Sequence, residues 1–195
     1  MVNANDSLFR LINGVWINPT LDTLMISLSR INDYALIWLV LLAVLAIFGG
    51  RTGRRAALAG LVALAAGVAV SEVLKNLVMQ PRPFLSIPDA RLLVSEPNSY
   101  SFPSTNVAYA FSASMGASLA AKRLIGRVPT WGWGSLALAV VISYSRIYVG
   151  VHYPVDVLAG ALLGISVGWM AAAVVAKFGG DEAFGSSRPP GQERP

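Results

Sequence analysis

The chain has 195 residues, 55% of them hydrophobic and 13% charged, with a formal net charge of +5 and a mean hydropathy of +0.60. A soluble domain carries about 25% charged residues, so this composition points to one integral membrane domain. With no cysteine and a single histidine, a disulfide framework, a thiolate metal site and a histidine-rich metal cluster are excluded, and no cofactor is expected. No basic stripe with interleaved aromatics marks a nucleic-acid binder. The positive charge suits an anionic lipid surface or an anionic substrate.

In chain order, residues 3–17 read as a short amphipathic helix with Leu8, Leu11, Ile12, Val15 and Trp16 along one face. It is too short to span and is expected to lie in the interface. The polar, mixed first residues do not read as a cleavable signal peptide. Asn18-Pro19 breaks the helix, and residues 20–31 form a second short piece that could span, re-enter or lie flat. Spans are expected at 34–48, 56–79, 104–121, 133–149 and 154–177. Gly60 and Gly67 on the second span, and Gly160, Gly164 and Gly168 on the fifth, are small-residue packing faces. Residues 80–103 form a polar loop broken by five prolines. The expected fold is therefore an all-α membrane bundle of five clear spans plus an N-terminal amphipathic or sixth helix. A single domain over 1–178 would be followed by a disordered tail over 179–195.

Charge gives the orientation. Arg51, Arg54 and Arg55, then Lys122, Arg123 and Arg127, then Lys177 fall on one side if the spans alternate. The positive-inside rule makes that side cytoplasmic. The 80–103 loop and the 149–154 turn then face outward together.

Three segments carry chemistry on that outer face. Ser145-Arg146-Ile147-Tyr148-Val149-Gly150-Val151-His152-Tyr153-Pro154-Val155-Asp156 lies at the seam between two apolar runs. His152 and Asp156 are one helical turn apart, so the carboxylate can fix the imidazole tautomer. Arg146 offers a fork of donors suited to phosphate. A lone histidine in an apolar chain is more often a core group. The nearby arginine shifts the balance, because ionisable groups at membrane depth are usually functional. Lys75 and Arg82, in Lys75-x6-Arg82-Pro83, make a second pair of cations, although Lys75 could instead pair with Glu72 one turn earlier. Ser101-Phe102-Pro103-Ser104-Thr105-Asn106 opens the third span, where a helix start can hold an anion or where Ser104 or Thr105 simply caps the helix.

Lys-x6-Arg-Pro, then Pro-Ser at a helix start, then Ser-Arg-x5-His-x3-Asp resembles the three-part signature of the type 2 phosphatidic acid phosphatase superfamily. That group includes lipid phosphate phosphatases, undecaprenyl-diphosphate phosphatases and, more distantly, vanadium haloperoxidases. The resemblance covers about residues 20–177 and implies a phosphatase/haloperoxidase-type helical core. It implies that His152 is the nucleophile and that Asp156 orients it. Lys75, Arg82, Ser104, Thr105 and Arg146 would hold phosphate oxygens, with no metal. Phosphoryl transfer is mostly positioning and charge stabilisation, which such a cation-rich site can supply.

The second motif departs from the family, whose Pro-Ser-Gly-His supplies a histidine that protonates the leaving group. Here that position is Asn106, whose amide can donate a hydrogen bond but gives up no proton at useful pH. The change is an engineered inactivation, a natural feature of an enzyme whose leaving group needs little protonation, or the mark of a binder that no longer turns over. The resemblance implies a lipid phosphatase of the cytoplasmic membrane with its site on the extracytoplasmic side. Undecaprenyl diphosphate is the first substrate to test. Phosphatidylglycerophosphate or phosphatidate hydrolysis, lipid phosphotransfer and non-catalytic binding of a lipid phosphate are the alternatives. The expected partners are the lipid substrate and membrane lipids, with no nucleic acid.

Overall fold

The computed structural model describes residues 4–15 and 17–178, and every regular element among them is helical. The elements are α1 (Ala4–Gly14), α2 (Pro19–Ile31), α3 (Leu36–Phe48), α4 (Gly50–Val78), α5 (Pro83–Ser86), α6 (Thr105–Ile125), α7 (Thr130–Tyr148) and α8 (Pro154–Phe178). The tail expected to be disordered, 179–195, and Trp16 of the expected amphipathic face lie outside the described residues.

Local signals set most boundaries. The Asn18 side chain accepts from the Leu21 amide at 2.8 Å, and Pro19 occupies the first helical position of α2. α4 stops at Met79, which is left-handed at φ 53°, and α6 stops at Gly126 with φ 77°. Between α2 and α3, Tyr34 and Ala35 both take φ 57°. That break bends the two helices by 58° relative to each other. Residues 20–31 are thus one arm of a bent pair, the point the sequence left open.

The five expected spans correspond to α3, α4, α6, α7 and α8, but their hydropathy is uneven. Among the described residues, only Gly50–Ser86 and Pro154–Lys177 are individually long and apolar enough to cross a membrane, with the bent α2–α3 pair as a third candidate. α3 alone, at 13 residues, is about 20 Å long against a hydrocarbon core of about 30 Å. α6 is long enough but carries Ser112, Ser114 and Ser118. All three are buried against other helices rather than facing lipid, so the helix has no need of an apolar exterior.

α6 is the centre of the bundle, packed on α4, α7 and α8. Where lipid is as apolar as leucine, helices associate through close packing rather than hydrophobic transfer. The glycines provide that closeness. A Cβ at Gly160 would lie 2.7 Å from the Ser104 carbonyl oxygen, and one at Gly168 would lie 2.7 Å from the Met115 Cβ. Gly60 and Gly67 of α4 likewise face Ala113 and Ser112 of α6.

α1 packs against the protein through a side that the sequence did not single out. It buries Phe9 and Asn13, while Leu8, Leu11 and Val15 of the expected face remain exposed. The buried side is decided by what α1 docks on. Asn13 donates to the Tyr148 carbonyl at 2.8 Å and the Arg91 carbonyl at 2.9 Å, and accepts from the Arg91 amide at 2.8 Å. Arg91 continues to Asp22 of α2 at 2.7 Å, and the Tyr148 hydroxyl donates to the same carboxylate at 2.7 Å. α1, α2, the long loop and the end of α7 are thereby clasped together. The helices alternate so that the 79–104 and 149–153 connections share one end of the bundle, and the start of α4 and the 126–129 connection share the other.

Candidate active site

The turn between α7 and α8 depends on Gly150, whose φ is 89°, a region disfavoured for residues with a Cβ. The Arg91 carbonyl also lies where that Cβ would be. The Leu93 amide donates to the Val149 carbonyl at 3.1 Å, seating the long loop on the turn. Val149 and Val151 are fully buried. His152 follows with its backbone fixed on both sides.

α8 begins with a reciprocal cap. Pro154 takes the first helical position, and the carboxylate of Asp156 reaches back to the Tyr153 amide at 2.8 Å. The same oxygen, Oδ2, accepts from the Ser101 hydroxyl and lies 3.5 Å from His152 Nδ1. Its partner oxygen Oδ1 has no hydrogen bond among the described residues. Asp156 and His152 are almost wholly buried. Nδ1 lies 3.5 Å from both Ser101 Oγ and Asp156 Oδ2, which turns Nε2 toward Arg82 Nη1, 3.4 Å away.

Three cations surround this face. Lys75, in the last turn of α4, donates to the Tyr100 carbonyl at 2.7 Å. Arg82 donates from Nε to the Ser99 carbonyl at 2.7 Å, from Nη2 to Ser99 Oγ at 3.0 Å and from Nη1 to the Val151 carbonyl at 2.8 Å. Arg146, in the last turn of α7, donates to Ser29 Oγ and lies 3.6 Å from Asp33. Each of the three is at least nine-tenths buried, and such burial of charge calls for a compensating anion.

The start of α6 supplies the fourth side. Ser104 is the N-cap, yet its side chain makes no cap hydrogen bond. Its hydroxyl is fully buried and without a partner among the described residues. The simple capping role weighed from sequence is therefore absent for this side chain. Thr105 donates to Glu72 Oε1 at 2.9 Å, so Glu72 engages Thr105, and no ion pair links it to Lys75 among the described residues. With its amide oriented so that both ends find partners, Asn106 accepts from Arg146 Nη2 at 3.0 Å, Nη1 at 3.2 Å and Nε at 3.3 Å. It donates to the Tyr109 hydroxyl at 3.0 Å.

These elements enclose a cavity of about 600 Å³ lined by Lys75, Arg82, Thr105, Asn106, Arg146 and His152 among others. Asp156 and Ser104 sit immediately behind that lining. Burial, followed by the charges of Arg82, Arg146 and Lys75, holds the His152 imidazole well below its ordinary pKa. A neutral imidazole whose Nε2 faces Arg82 and the clustered cations has the chemistry to serve as a nucleophile toward an anion held there. Ser101, Ser29, Asp33 and Tyr109 belong to this arrangement and were not assigned from sequence. Ser101 stands inside the second motif, which was the signal available. The others sit in runs with no motif spacing.

A model of the PAP2 superfamily matches residues 56–179. The undecaprenyl-diphosphatase of Sulfolobus acidocaldarius is 37% identical over 165 residues, covering 84% of this chain and 74% of that protein. The putative undecaprenyl-diphosphatase YbjG of Escherichia coli strain K12 is 37% identical over 177 residues, covering 89% and 83%. Among solved structures, the first transmembrane PAP2 type phosphatidylglycerolphosphate phosphatase from Bacillus subtilis has the same fold. Its TM-score is 0.69 at 23% identity, covering 95% of this chain and 88% of that one.

Proposed function

We propose, from the premise that the chain belongs to the PAP2 superfamily and is an integral membrane lipid phosphatase, that its substrate is a polyprenyl diphosphate of the undecaprenyl type. Two relatives named for that activity, each more than one-third identical over most of this chain, support the substrate class. The observation that carries the reaction is the convergence of His152 Nε2, three buried cations and the open start of α6 on one cavity.

The terminal phosphate enters with its oxygens toward Lys75, Arg82, Arg146, the Ser104 hydroxyl and the first amides of α6. His152 Nε2 attacks phosphorus, and the bond to the bridging oxygen breaks. Asp156 holds Nδ1–H and balances the charge that develops on the ring. Water then cleaves the phosphohistidine and releases phosphate. Asn106 provides no proton to the leaving oxygen. A diphosphate releases a phosphate monoester, which needs less protonation than an alcohol, so this substrate class tolerates the asparagine best. The domain is assigned to 1–178, in the cytoplasmic membrane with the cavity outward, on the strength of the basic residues at the opposite end.

A second reading, non-catalytic binding of a lipid phosphate, draws on the hydrogen bonds that tie Asn106 to Arg146. Phosphate release by the detergent-solubilised chain from diphosphate, monophosphate and glycerophosphate lipids separates the two. Release favouring the diphosphate, abolished in His152→Ala and unaffected by chelators, is the expected result. Undiminished release by His152→Ala overturns the nucleophile, and absence of release from every lipid supports the binder.

A further inference from the structure

A phosphohistidine enzyme of this kind needs a base as well as an acid. The water that attacks phosphorus in the second step must lose a proton, and Asn106, with no basic atom, does not accept it. Two carboxylates line the cavity beside the site, Asp33 and Glu72. They are not equivalent. Asp33 lies 3.6 Å from Arg146, and its negative charge is spent on that guanidinium. Glu72 has no cation within ion-pair distance among the described residues. Its single side-chain hydrogen bond there is the one it accepts from Thr105 Oγ1 at 2.9 Å. Thr105 directly precedes Asn106 in the first turn of α6, so this carboxylate stands at the edge of the phosphate cradle. An anion so placed works against binding of an anionic substrate, and Glu72 is exposed, with only Thr105 bonded to its carboxylate among the described residues. Yet it sits on a long apolar helix, where a charge without a role is costly.

We propose that Glu72 is the general base for hydrolysis of the phosphohistidine, a proposal that rests on the covalent route given above. Water oxygen attacks phosphorus while one water proton passes to the Glu72 carboxylate. The P–N bond breaks, and its electron pair returns to His152 Nε2. Inorganic phosphate leaves, and Glu72 then releases the proton to solvent through the open cavity. Thr105 is the positioning residue that fixes the carboxylate through its hydroxyl. The first half-reaction does not use Glu72.

The experiment follows both half-reactions in the detergent-solubilised full chain with a polyprenyl diphosphate labelled in its terminal phosphate. Gln at position 72 can still accept the hydrogen bond from Thr105 and removes only the base, so Glu72→Gln should keep its thermal unfolding profile. It should form base-stable, acid-labile phosphoenzyme at the parent's rate, accumulate it, and turn over about 10²-fold or more slower, the usual worth of a general base. Glu72→Asp should recover part of the rate. In Asn106→His the effect of Glu72→Gln should shrink, because the imidazole offers an alternative base. Steady turnover by Glu72→Gln at the parent's rate overturns the proposal, as does equal loss of phosphoenzyme formation and turnover. His152→Ala, run in parallel, reports on the covalent route itself: turnover there sinks that route, whereas failure confined to the Glu72 variants sinks the base assignment alone.

Discussion

Replacing Asn106 by histidine tests the chemistry most directly. The Asn106 amide oxygen is within 3.0 to 3.3 Å of three nitrogens of Arg146. A side chain rooted there is therefore beside Arg146 in the proposed phosphate cradle, and a longer imidazole reaches further into the cavity. A positioned general acid is worth about 10²–10⁴ in rate, or about 2.7–5.4 kcal/mol of barrier at 1.36 kcal/mol per decade. Against this stand the hydrogen bonds to Arg146 and Tyr109, at about 1 kcal/mol net each. They affect folding stability rather than the barrier, so the variant should be slightly less stable and much faster. The gain should approach the upper bound for a monophosphate lipid, whose alkoxide leaves poorly without a proton. It should fall toward the lower bound for a diphosphate lipid. The assay compares kcat on both lipids for parent and Asn106→His, with phosphate affinity measured alongside. A variant no faster on either lipid, yet binding phosphate as well as the parent, refutes the reasoning and favours the binding role.

The remaining predictions concern orientation, packing and pH. Single cysteines at Ser95 and Arg54 of this cysteine-free chain, probed in intact cells with an impermeant thiol reagent, should label at 95 and not at 54; the reverse pattern overturns the outward cavity. Gly160→Ala puts a methyl 2.7 Å from the backbone of Ser104 and should cost about 1–3 kcal/mol of stability while weakening phosphate binding. Gly134→Ala, with open space around it, should do neither in the same thermal and binding assays. Because the His152 pKa is lowered in the folded protein, its imidazole should stay neutral below pH 6.5, and on the proposed covalent route phosphoenzyme formation should fall only in more acidic buffer. The unfolded chain takes up that proton first, so stability should be complete above pH 6.5 and decline below it by up to about 1.4 kcal/mol per pH unit until the folded imidazole protonates. A formation rate that halves near 6.5 contradicts this.

The helices and the turn carrying His152 were legible because apolar runs, prolines and glycines act locally. The i, i+4 spacing of His152 and Asp156 is a property of the chain. What escaped depends on distant segments. Nothing local says that Asn13 will meet Arg91 and Tyr148, and that clasp decides which face of α1 is buried. Glu72 has an equally good local partner in Lys75, three residues on. Only the approach of α6 to α4 brings Thr105 close enough to take it, while the Tyr100 carbonyl takes the lysine. Span hydropathy was also an incomplete guide, since α6 touches helices where α4 and α8 also touch lipid.

Lys75 and Arg82 are held by the carbonyls of Tyr100, Ser99 and Val151, neutral acceptors that orient a cation without discharging it. In the proposed site, an arriving phosphate would therefore displace no carboxylate from either group and would meet nearly their full charge. The departing phosphate meets the same charge. Released inorganic phosphate is thus a competitor for the empty cavity, and the protein's resistance to heat should climb with phosphate concentration as bound anion favours the folded state. On the proposed mechanism, such retention of product would tie the enzyme's throughput to the phosphate level on the side where its cavity opens.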